Sequence, residues 1–200
     1  MSELAIVFPE PVLATNISRK FGVNEKLFID NTKNFLGENI GNKMSKDSDV
    51  LNKIELQNIK EFISYQLKSF ISKAINPKYD LKFTITESWL NYTNKGEHHH
   101  RHTHPNSIIS GVFYFETLDN DSITFHKTPK SFSFDVKEFN VFNSPSWSVP
   151  VVPGMLLLFP SYLEHSVPVN KQDKTRISLS FNTWCKGKIS NEHAAKLETR

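Results

Sequence analysis

The sequence predicts a mainly β fold: a jelly roll packed on N-terminal helices. Three observations predict it. Apolar residues recur at helical spacing over residues 52–75. From Leu81 onward the spacing changes to two. Short strand-like runs then follow at roughly 8–12-residue intervals with turn residues between them, the pattern of a sandwich or barrel. The 200 residues are read as one domain, 1–200, with helices mainly in 24–75 and the jelly roll over 81–184.

Taken in order, residues 4–17 (LAIVFPEPVLATNI) are rich in β-branched side chains but interrupted by Pro9 and Pro11, so they read as an edge strand. Residues 24–36 read as a helix that Gly37 stops, and the polar 41–49 as loop. At the start of the 52–75 helix, Asn52 and Glu55 have capping-box spacing. Leu56, Ile59, Phe62, Ile63, Leu67, Phe70, Ile71 and Ala74 form one apolar stripe, so one face is expected to cover a sheet. Asn76-Pro77 ends the helix, because the residue before proline avoids the α region. Leu81, Phe83 and Ile85 begin a strand that runs toward Tyr92, and Asn94-Lys95-Gly96 is a turn. Residues 107–116, 122–126, 131–135 and 154–159 read as strands, with the proline-containing 141–153 irregular. The last strand, 176–184, sets Ile177, Leu179 and Phe181 on one face and Arg176, Ser178, Ser180 and Asn182 on the other. If the long helix covers the apolar face, the polar face looks into the barrel. Buried polar groups without partners cost ~1–3 kcal/mol each, and a bound anion would supply partners.

Composition narrows the function. The pI of about 8.8 comes from a net charge of only +3, with both signs mixed along the chain, which does not argue for nucleic acid. No apolar run reaches the ~18 residues of a membrane span, and the N-terminus lacks an apolar signal segment. The single Cys185 excludes an internal disulfide and fits a reducing compartment. A cytoplasmic protein is expected, with no membrane partner, and a homodimer is compatible with the sequence.

Five of the eight histidines fall in residues 96–116, GEHHHRHTHPNSIISGVFYFE. His102 and His104 are two apart, so in an extended chain both rings project from one face. Imidazole suits iron, zinc, copper and nickel. A chelating pair needs a further ligand, and His165, 61 residues after His104, is the candidate. No Glu or Asp sits at general-base spacing from the pair, which argues against a zinc hydrolase.

His102-Thr103-His104, Ser110-Gly111-Val112-Phe113-Tyr114-Phe115, Gly154 to Pro160 with His165, and Arg176-Ile177-Ser178 together resemble the 2-oxoglutarate- and Fe(II)-dependent oxygenases, above all a group of short bacterial and phage members. The opening Phe8-Pro9-Glu10-Pro11 is similar to that group's opening, so the resemblance runs from about residue 8 to 182. It implies a double-stranded β-helix, Fe(II), O2 and 2-oxoglutarate, and decarboxylation to succinate coupled to oxidation of a substrate, as in a hydroxylase. It also implies that His102 and His165 ligate iron and that Arg176 grips the far carboxylate of 2-oxoglutarate. A guanidinium fork can do so bidentately and lysine cannot. Ser178 and Tyr114 match further contacts to that carboxylate, and Tyr92 resembles another tyrosine near the cosubstrate. One departure is that His104 stands where the usual triad has a carboxylate. Either His104 ligates, which its spacing favours, or a water takes that place.

Plainer readings stand beside these. His98, His99 and His100 are expected in a solvated loop. Tyr114 fits a core aromatic as well as a cosubstrate contact. Gly96 with His102-Thr103-His104 also fits the first motif of three-histidine cupin dioxygenases, although the Glu of that motif is missing and Pro153-Gly154 lies too far before His165. A non-catalytic metal-binding jelly roll is the third reading. The substrate, a small molecule or peptide, has no recognisable motif in the loops at 43–51 and 140–153.

Overall fold

The change of apolar period at residue 81 separates covering helices from sheets. A computed structural model describes residues 4–128, 134–189 and 198–199. Helix α1 is Val23–Thr32 and α2 is Gln57–Phe70, the latter continued by a π-helical turn, Ile71–Ile75. The strands are β1 (Leu13–Asn16), β2 (Leu36–Glu38), β3 (Lys43–Ser45), β4 (Lys82–Thr93), β5 (His99–His102), β6 (Ile109–Glu116), β7 (Ser122–His126), β8 (Ser146–Pro150), β9 (Met155–Pro160), β10 (His165–Val167), β11 (Arg176–Lys188) and β12 (Glu198–Thr199). They form a large antiparallel sheet ordered β1-β9-β6-β11-β4-β3-β2, with β12 on the end of β11, and a small one ordered β5-β10-β7-β8. This is the expected jelly roll.

The helices cover one face of the large sheet. Ile59, Ile63, Leu67 and Phe70 of α2 share a buried cluster with Leu90, Phe113, Phe115, Leu158, Leu179 and Phe181. Each such side chain contributes about 1.5–3 kcal/mol by leaving water. The other face meets the small sheet through Val112, Tyr114, Leu157 and Phe159 against Ile123, Phe125 and Val151. Strand alternation divides β6 and β9 between the two clusters. Gly111 is fixed by the first: a Cβ there would lie 2.2 Å from the Phe181 ring.

Several expectations need correction. The capping box at Asn52 and Glu55 does not form. Two 3-10 turns, Val50–Asn52 and Ile54–Leu56, come first, and Asn52 Nδ2 instead donates to Asp49 Oδ1 at 2.6 Å. Helix α1 ends at Thr32, and Gly37 lies in β2. The supposed loop at 41–49 contains β3, which pairs with β4. The supposedly irregular 141–153 contains β8, whose edge position tolerates Pro150. The strand expected at 131–135 falls partly on residues 131–133, outside the described ones; Phe134 and Asp135 are not strand. No helix among the described residues is long and apolar enough to cross a membrane.

Candidate metal centre

The small sheet gathers the histidines. β5 and β10 pair so that His102 lies opposite His165. The chain after β5 brings in His104, whose backbone N–H donates to the Ser161 carbonyl at 2.9 Å. Ring centroids are 4.4 Å apart for His102 and His165, 4.9 Å for His102 and His104, and 5.1 Å for His104 and His165. His104 Nε2 lies 3.3 Å from His165 Nε2. One ligand nitrogen from each of the three lies within 4.8 Å of the others.

Backbone carbonyls orient two of the rings. His102 Nδ1 donates to the His100 carbonyl at 2.8 Å and His165 Nδ1 to the Leu163 carbonyl at 3.0 Å. A carbonyl only accepts, so each Nδ1 carries the proton and each Nε2 is left with its lone pair. Burial, reinforced by the neighbouring imidazole of His102, pushes His165 down to about 3 and His104 down to about 4. Burial also lowers His102. Neutral imidazole is the ligating form.

The inner face of the large sheet supplies a second group. Asn91 of β4 and Tyr114 of β6 both lie opposite Ser178 of β11, and Arg176 comes two residues earlier on the same face. The Arg176 guanidinium carbon sits 5.0 Å from the Tyr114 ring centroid. Arg176 Nη1 donates to Ser178 Oγ at 3.3 Å. Burial pushes the Tyr114 phenol up to about 12, so it is a donor at neutral pH. Most of the polar row is satisfied internally. Asn91 Nδ2 donates to Ser180 Oγ, and Asn182 bonds Ser110 and Glu87. Three buried atoms have no partner among the described residues: Arg176 Nη2, Tyr114 Oη and Asn91 Oδ1. An anion reaching this face would accept from the first two, so the residues present fit a carboxylate.

The structure therefore brings His102, His104 and His165 together, and Arg176, Ser178 and Tyr114 together. It does not bring Tyr92 to either group. That hydroxyl donates to the Ile29 carbonyl at 2.7 Å, in the cluster under the helices. Alternation explains the correction: Trp89, Asn91 and Thr93 face inward, so Tyr92 faces outward. Of the row at 98–100, His98 is exposed outside any strand, as expected, but His99 and His100 are not in a solvated loop. His99 and His100 belong to β5, and the His99 ring stacks on His102 at 4.5 Å and 24°.

Sequence reasoning missed Asp121. It is buried, and its Oδ2 accepts from Arg176 Nε at 2.9 Å. Arg176 thus has a protein carboxylate beside it as well as any bound anion. In sequence Asp121 follows Asp119-Asn120 and looks like any turn acid. Asn91 shares its strand face with Trp89 two residues earlier. Trp89 itself lies 6.1 Å from the His104 ring. A cavity of about 960 Å³ between α2 and the start of β4 contains none of these groups.

Residues 87–182 match a family model described as "Putative 2OG-Fe(II) oxygenase", a span that contains both groups. No curated protein sequence matches the chain. Among solved structures, HygX from Streptomyces hygroscopicus with nickel and 2-oxoglutarate bound is 10% identical, with a TM-score of 0.59 over 87% of this chain and 82% of that one. A Pseudomonas putida prolyl-4-hydroxylase is 15% identical, with a TM-score of 0.57 over 88% and 92%. A 2OG-Fe(II) oxygenase family protein from Burkholderia pseudomallei is 14% identical, with a TM-score of 0.56 over 86% and 83%. At these identities the likeness establishes the fold, a double-stranded β-helix.

Proposed function

From the match of residues 87–182 to the 2OG-Fe(II) oxygenase model, we propose that the chain is such an oxygenase, a hydroxylase acting on a small-molecule or peptide substrate, with His102, His104 and His165 as its iron ligands. The observation that carries the assignment is the pair of unpartnered buried donors, Arg176 Nη2 and Tyr114 Oη, on the inner face of the large sheet. Fe(II) with 2-oxoglutarate supplies the activation of O2 and the oxidation of a C–H bond, with succinate and CO2 as products.

The chain's own residues do the rest. His102 and His165 present Nε2 because the His100 and Leu163 carbonyls hold Nδ1. His104 makes the triad three neutral imidazoles, one negative charge short of the usual set. Arg176 retains the edge formed by Nη1 and Nη2 for the far carboxylate, with Tyr114 donating beside it. Asp121 anchors the guanidinium through Nε, so it is oriented before the carboxylate arrives. Phe159, 4.8 Å from the His165 ring, and Phe125, 6.1 Å from it, exclude water on that side.

The three-histidine cupin reading keeps one specific observation in its favour. It takes Arg176 as structural, and the Asp121 ion pair is what a structural arginine would show. Calorimetric titration of the Mn(II)-loaded protein with 2-oxoglutarate separates the two. Arg176→Ala should weaken 2-oxoglutarate by roughly two orders of magnitude, the scale of a lost buried charged hydrogen bond. Arg176→Lys, which keeps the charge without the fork, should be intermediate. Equal affinities in a variant that melts cooperatively would remove Arg176 from the site.

A further inference from the structure

The pairing of β5 with β10 is irregular. His102 lies opposite His165, and His99 lies opposite Val167. β10 advances by two residues where β5 advances by three, so β5 carries one extra residue. In a regular strand the side chains of His99 and His100 would point to opposite faces. The bulge re-aims them. Their ring centroids are 5.4 Å apart, His99 and His102 are 4.5 Å apart, and His100 and His102 are 4.8 Å apart. One ligand nitrogen from each of these three also lies within 4.8 Å of the others.

We propose that His99, His100 and His102 form a second binding site for a divalent first-row transition ion, used in alternation with the His102–His104–His165 triad. Three imidazoles with no carboxylate among them suit Zn(II), Ni(II), Co(II) or Cu(II) rather than Mg(II) or Ca(II). The site has its own orienting contacts. His100 Nδ1 points at the Ile40 carbonyl at 3.4 Å, which leaves Nε2 outward. That carbonyl sits in a turn closed by Asn39 N–H to the Asn42 carbonyl and Asn39 Nδ2 to Asn42 Oδ1, both at 2.9 Å. The turn is fastened to the residue just before β5 by His98 N–H to the Gly41 carbonyl at 2.9 Å. Gly41 has φ +88°, and a Cβ there would meet His98 at 2.8 Å, so the close approach needs glycine.

Alternation follows from His102. Its Nδ1 is spent on the His100 carbonyl, so it has a single nitrogen to give. An ion held by His99 and His100 through that Nε2 withdraws it from His104 and His165. All three residues of the second site are half-buried, so an ion reaches them from solvent without the barrel opening.

Co(II) is the probe, because its visible spectrum reports coordination and its binding can be followed by calorimetry. In the His104→Ala/His165→Ala chain the first triad is gone. That chain should bind one Co(II), and adding His99→Ala should weaken it by at least the roughly tenfold that even an outer partner of a metal ligand contributes. Equal Co(II) affinity with and without His99 would overturn the proposal. So would absence of Co(II) binding in a double variant whose circular dichroism matches the parent. If the alanine pair does not fold, His104→Gln/His165→Gln serves with the same two outcomes. The result is independent of oxygenase activity, which is read on the parent chain with Fe(II) and 2-oxoglutarate.

Discussion

Asp121 changes what Arg176 does in the fold. A buried arginine with a buried partner is held in place before any ligand arrives, and removing either partner strands a charge. Asp121→Asn should therefore lower stability by about 3–5 kcal/mol in chemical denaturation, the scale for breaking a buried pair. A change under ~1 kcal/mol, that of a surface pair, would show the site to be wetter than its burial implies. Tyr114 gives the opposite case. Its hydroxyl is buried without a partner, so Tyr114→Phe should leave stability unchanged or raise it. The same change should weaken 2-oxoglutarate about tenfold or more, since a hydrogen bond to a charged group contributes ~1.5–3 kcal/mol. Unchanged affinity would make Tyr114 a core aromatic only. At this scale the sequence was informative where spacing implies direction. His102 and His104 are two apart on extended chain, and Arg176 and Ser178 share one face of a strand. It was uninformative where direction depends on register. Tyr92 faces the helices because of its phase on β4, and Asp121 meets Arg176 only through the folded sheet.

Long periodic elements were more legible than short ones, although the four-residue β1 falls within the expected edge strand and lies at a sheet edge. The α2 stripe, β4, β6, β7, β9 and β11 follow from local pattern, because each repeats its apolar period long enough to be recognised. β2, β3, β5 and β10 have four residues or fewer, and their pairing comes from neighbours in the sheets. β5 is the instructive case: a row of polar histidines has no strand signal, yet it becomes one when it pairs with β10. The close packing of β6 on β11 gives a test at this scale. Gly111→Ala would push a methyl group against the Phe181 ring and Leu158. It should cost about 1–3 kcal/mol of stability by denaturant titration, the range for overpacking. A neutral effect would mean that the sheet and α2 can separate without penalty, contrary to the cluster they share.

For the molecule as a whole, the barrel keeps a group of imidazoles neutral. His165 and His104 ordinarily titrate near 6.5 and are pushed down to about 3 and 4, with burial the first cause in each. Between those values and 6.5 the unfolded chain binds more protons than the folded one, so stability rises with pH. The metal-free protein should therefore lose melting temperature as pH falls from about 6.5 to about 5, before carboxylates contribute. A flat profile over that window would contradict the buried, neutral cluster. The central claim is that this cluster and the Arg176 group hold iron and 2-oxoglutarate in one site. Anaerobic addition of Fe(II) and 2-oxoglutarate tests it most directly. The account predicts a weak visible charge-transfer band that needs both components and disappears in His165→Ala. A featureless spectrum from the parent protein, with Fe(II) verified as bound, would contradict it.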